Sequence, residues 1–117
     1  MKPIRGSPKQ RTPHGEIKRL CDEIARQFHP QKIILFGSHA YGKPVWDSDV
    51  DLLVIMPFRG TPHSQAVKIR SRIEPPFALD LLVRTPEHMN RRLRMETLSC
   101  YIVEHGKIVY EADPSVR

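Results

Sequence analysis

The longest uninterrupted apolar run in this chain is Leu52 to Met56, five residues closed by Pro57. A run of that size makes one strand, whereas a membrane helix needs roughly 20 apolar residues. The core must therefore be assembled from several short strands covered by helices with apolar residues at helical spacing. At 117 residues there is room for one core, not for a catalytic domain plus a separate substrate-binding domain. Hydrophobic residues at 39% and charged residues at 27% fit a soluble globular chain and argue against a largely disordered one. No apolar stretch lies between the basic start and Gly15, which argues against a secretory signal and makes the cytoplasm the default location.

From Glu16 to Phe28, Ile17, Leu20, Cys21, Ile24 and Phe28 recur at helical spacing, and Pro30 follows. Lys32 to Phe36 reads as a first strand breaking at Gly37, Ser38 to Tyr41 as one helical turn, and Gly42 to Ser48 as a loop. Val50 to Met56 is a second strand. Thr61 is suited to cap, and Pro62 to open, a helix whose apolar face holds Ala66, Val67, Ile69 and Ile73 and whose basic face holds Lys68, Arg70 and Arg72. Pro75-Pro76 forces an extended entry to a third strand, Phe77 to Val83. Thr85-Pro86 repeats the cap-plus-proline start for a helix through Arg94 or further. A helical stretch from Leu98 to Glu104 ends at Gly106, and Lys107 to Tyr110 reads as a last short strand. This order predicts an α/β (α+β) domain with a small mixed β-sheet of three to four strands flanked by helices.

The domain spans residues 15–112, between an N-terminal arm (1–14) and a short C-terminal tail (113–117). The arm carries Lys2, Arg5, Lys9 and Arg11, three prolines and no acid, and reads as disordered. It holds four of the six net positive charges, so the domain itself is nearly balanced and nucleic-acid binding is not the favoured function. Cys21 and Cys100 have no partner at zinc-ligand spacing and read as buried apolar residues. The six histidines are scattered without ligand spacing. Arg91, Arg92 and Arg94 read as a solvated basic face.

The segment from Gly37 to Met56 carries the chemistry. Asp49 and Asp51 are two apart at the start of a strand, so alternation points both to one face. Two like charges there repel, and a divalent cation such as Mg²⁺, which prefers carboxylate oxygens, would relieve the repulsion. The plainer reading is a surface Asp pair in a turn. Asp80 is a lone acid within the apolar run FALDLLV, and a buried carboxylate there needs a partner, a proton or a metal. If the third strand lies beside the second, the three acids converge, as a two-metal phosphoryl-transfer site requires. Gly37-Ser38, between a strand and a helical turn, offers free backbone N–H groups and a hydroxyl to phosphate oxygens. Asp47 and Ser48 fit a turn, Lys43 an exposed loop, and Tyr41 and Trp46 either packing over that loop or stacking on a base.

Phe36-Gly37-Ser38, ten intervening residues, Asp49-Val50-Asp51 and the later Asp80 together resemble the DNA polymerase beta-like nucleotidyltransferase superfamily, most closely its minimal nucleotidyltransferases. The resemblance runs from about Gly15 to Glu111, including the closing stretch GKIVYE; His39 and Tyr41 stand where many members carry arginine. It implies the polymerase beta-like fold and transfer of a nucleoside monophosphate from ATP or another nucleoside triphosphate, with release of pyrophosphate. It also implies two Mg²⁺ ions, replaceable by Mn²⁺: Asp49 and Asp51 ligate both, Asp80 ligates the catalytic one and helps deprotonate the acceptor, and Gly37 and Ser38 hold phosphates. Minimal members are often antitoxins paired with a HEPN-domain toxin, which makes such a protein the expected acceptor. The alternatives are a small-molecule nucleotidyltransferase and a non-catalytic module capping a helical partner; the intact carboxylate set speaks against the latter.

Overall fold

The structure, a computed structural model, describes residues 14–37, 40, 49–75, 77–92 and 98–112. Helix α1 (His14–Phe28) buries Ile17, Leu20, Cys21 and Ile24, the stripe expected from their spacing, and starts one residue inside the expected arm. It ends at His29, which takes a left-handed φ of 52° and donates its N–H to Ala25 O at 3.0 Å. Pro30, lacking an N–H, cannot continue it. The Lys18–Asp22 pair on its outer face is exposed at 3.0 Å and adds little stability.

Four strands, β1 (Lys32–Phe36), β2 (Val50–Ile55), β3 (Leu79–Arg84) and β4 (Lys107–Glu111), form one mixed sheet in the order β3-β2-β1-β4. β1 is antiparallel to both β2 and β4, with a register shift against β4 between Ile33 and Ile34, and β2 is parallel to β3. Alternation divides each strand between two faces. Ile33, Leu35, Val50, Leu52, Val54, Leu79, Leu81 and Val83 join α1 in the main core. Ile34, Leu53 and Ile55 form a smaller cluster on the other face with Met89 and Ile102. β2 reads as a continuous apolar run because both of its faces are covered.

Helix α2 (Pro62–Arg72) starts as expected, with Thr61 Oγ1 accepting from Ser64 N at 3.0 Å and proline in the first turn, and it packs on β3. Its buried stripe differs from the expected one. Ile69 and Ile73 are buried, but Val67 is 50% exposed and the inward position is Gln65. The stripe follows the i, i+4 row 65–69–73, and Gln65 is tolerated because its Nε2 donates to Met56 Sδ at 3.6 Å. Helix α3 (Pro86–Arg92) repeats the cap, Thr85 Oγ1 accepting from His88 N at 3.1 Å. Helix α4 (Leu98–His105) then leads through Gly106 into β4.

The expected arm up to residue 13, the turn at 38–41 apart from Ala40, the loop at 42–48, residues 93–97 and the tail lie outside the described residues, as do the Arg92 and Cys100 side chains. Among the described residues no helix is long and apolar enough to cross a membrane.

Candidate active site

The strand registers align three residues in one row across the sheet. Phe36 of β1 is the partner of Asp51 of β2, and Asp51 is the partner of Asp80 of β3. Alternation puts the row on the face of Ile34, Leu53 and Leu82, at the end where β2 and β3 begin and β1 finishes. Val50 N donates to Ala78 O at 2.9 Å and ties the two strand starts together beside the carboxylates.

β1 runs out of this row into Gly37, whose φ of +79° is a conformation side-chain-bearing residues rarely adopt. A β-carbon there would collide with Oδ2 of Asp51 and lie 3.0 Å from its Cγ, so the backbone passes directly against the carboxylate. Ala40, buried, donates its N–H to Gly37 O at 3.0 Å and closes the turn. Ser38, the other expected phosphate-binding residue, lies outside the described residues, as do Tyr41, Lys43, Trp46, Asp47 and Ser48.

Asp80 corrects one expectation. Its carboxylate is exposed, not buried, although its neighbours Leu79 and Leu81 are in the core. β3 is an outer strand, Asp80 falls on the face opposite its neighbours, and the helical cover of that face packs on Ile34, Leu53 and Ile55, further along the sheet. The significance of Asp80 therefore lies in standing beside the half-buried Asp51. Asp49, exposed in the residue before β2, does not complete a cluster: among the described residues no three His, Cys, Asp or Glu side chains stand together as a metal-binding group.

The donor set nevertheless fits a hard divalent cation. Asp51 and Asp80 offer carboxylate oxygens on adjacent strands at one register, and the bare backbone at Gly37 leaves room for the Asp51 carboxylate where a β-carbon would intrude. Two open grooves of the described surface lie elsewhere, one between α1 and the end of α2, the other beside Pro30, Pro57 and Glu111 at the opposite end of the strands. One relevant contact had no sequence signal: Arg70, expected as part of a basic surface, donates from Nη1 to Leu79 O at 2.7 Å, next to Asp80.

A family model described as a nucleotidyltransferase domain matches residues 17–112. Among solved structures, a candidate nucleotidyltransferase from Sulfolobus solfataricus is 21% identical with a TM-score of 0.54, the match covering 66% of this chain and 70% of that one. A mutant of the toxin–antitoxin pair MntA-HpeT is 20% identical with a TM-score of 0.52, covering 84% of this chain and 76% of that one. A toxin–antitoxin structure with AMP-PNP is 22% identical with a TM-score of 0.53 and the same coverage. At these identities the likeness is one of fold. No curated protein matches the chain.

Proposed function

The chain belongs to the nucleotidyltransferase domain family and is a nucleotidyltransferase, and on that premise we propose that it transfers AMP from ATP, with Mg²⁺, to an acceptor protein of the HEPN type. The observation that carries the reading is the shared register of Asp51 and Asp80 with the backbone of Gly37 against the first of them. Two structural neighbours add support. One was solved with AMP-PNP, both are toxin–antitoxin proteins, and one carries replacements of two aspartates two positions apart, the spacing of Asp49 and Asp51.

In this reading Asp49 and Asp51 would hold both metal ions, and Asp80 would hold the catalytic ion and draw the proton from the acceptor hydroxyl. Metal held there would supply charge neutralisation for phosphoryl transfer. Gly37 and Ser38 donate hydrogen bonds to the terminal phosphates and set the triphosphate in line for attack. Asp51 is half-buried on an inner strand and Asp80 exposed on an outer one, so of the two carboxylates that of Asp80 is the more open to an acceptor.

The test is incubation with each nucleoside triphosphate labelled on the α-phosphate, with Mg²⁺, and with or without a candidate HEPN-domain partner. Label from ATP is expected on the partner, and only when metal is present. Rapid transfer to a free small molecule, unaffected by the partner, would replace this reading with a small-molecule nucleotidyltransferase. No transfer to any acceptor, with nucleotide binding also absent, would leave a non-catalytic capping module.

A further inference from the structure

Parallel strands β2 and β3 hold Asp51 and Asp80 side by side only while β3 keeps its register, and among the described strands β3 is an outer one, paired on one edge only. Backbone groups of successive residues alternate between the two edges of a strand. Ala78 O points inward and accepts from Val50 N at 2.9 Å, so Leu79 O points outward, where no described strand offers a donor. Arg70, on the last turn of α2, supplies one, reaching Leu79 O with Nη1 at 2.7 Å. Its charge makes this a stronger bond than an amide donor would give. The peptide group it grips joins Leu79 to Asp80.

We infer that Arg70 is a positioning residue: it anchors the start of β3 to α2 and so fixes the Asp80 carboxylate beside that of Asp51. α2 packs on β3, and the same helix ends where Gln27 Nε2 of α1 donates to Arg72 O at 3.1 Å. Through α2, the position of Asp80 is referred to the main core and not only to its neighbouring strand. Lys68 and Arg72 are exposed cations of the same helix with no comparable hold on β3 among the described side-chain bonds, which makes them controls.

The inference rests on the proposed role of Asp80 in holding metal, and its test separates the two. Mn²⁺ binding in the presence of a non-hydrolysable ATP analogue is measured by electron paramagnetic resonance for the wild type and for Arg70→Met, Arg70→Lys, Lys68→Met and Asp80→Asn, with melting temperature and kcat alongside. Loss of a group that orients a ligand commonly weakens metal binding by about tenfold or more, and Arg70→Met is expected at that level, with a parallel fall in kcat and little change in the KM for ATP. Arg70→Lys should recover part of both losses because it restores a cationic donor, and Lys68→Met should match the wild type. Wild-type Mn²⁺ affinity in Arg70→Met, or the same loss in Lys68→Met, overturns the positioning role. Wild-type Mn²⁺ affinity and kcat in Asp80→Asn would instead overturn the metal-holding role on which it depends.

Discussion

Gly37 lies so close to Asp51 that a β-carbon at position 37 would collide with the Oδ2 of that carboxylate. Gly37→Ala therefore faces two costs, a left-handed φ of +79° and displacement of the acid. Backbone strain of this kind costs about 1–3 kcal/mol, to be read from urea denaturation. Gly60 is the control. It has a φ of +88° but only Ser64 Oγ, at 3.3 Å, within reach of a new β-carbon. Gly60→Ala should lose similar stability and keep nucleotide binding, whereas Gly37→Ala should lose both. Equal nucleotide affinity in the two variants would show that the approach of Gly37 to Asp51 has no bearing on the site.

Metal binding should register as stability. A ligand that binds only the folded state at 100 times its Kd stabilises it by about 2.7 kcal/mol, so Mg²⁺ or Mn²⁺ with ATP should raise the Tm of the wild type. Asp51→Asn keeps the size of the side chain and should fold, yet show little of this shift. A full shift in that variant would put the metal away from Asp51.

Ser38 and Asp80 should fail in different ways. A phosphate contact present in both ground and transition states affects binding, so Ser38→Ala should raise the KM for ATP with a smaller change in kcat. Asp80→Asn removes charge needed when the acceptor attacks and should lower kcat with KM nearly unchanged. Steady-state kinetics on both variants separates these patterns, and turnover by Asp80→Asn at the wild-type rate contradicts its role.

Burial on α1 pushes the Cys21 thiol up from 9.0 to about 12, with Asp22 adding to the effect. Folding therefore favours the neutral thiol. The resulting stability is complete below about pH 9, where the thiol of the unfolded chain is also protonated, and is lost as pH rises towards about 12. In urea titrations the wild type should lose more stability than Cys21→Ala between these limits, since Lys and Tyr titration is common to both. Parallel pH profiles would show that Cys21 does not titrate with unfolding. The native thiol should also resist alkylation near neutral pH, because the reactive thiolate is scarce and buried.

Sequence by itself determined the elements and the chemistry that depend on neighbouring residues. The stripe of α1, the caps at Thr61 and Thr85, the apolar run of β2 and the Asp-x-Asp spacing after Gly37-Ser38 each involve groups a few positions apart, where the helical and strand periods dictate which side chains share a face. Tertiary structure decided the pairings between distant segments. That β3 runs parallel to β2 with Asp80 opposite Asp51, that Asp80 is exposed at an outer strand, that Gln65 and not Val67 turns inward, and that Arg70 closes the open edge at Leu79 follow from which surfaces meet. The run FALDLLV carries the same alternation whether its acid is buried or exposed; the difference arises from the neighbouring strand on one side, α2 on the other, and how far the helical cover extends along the sheet.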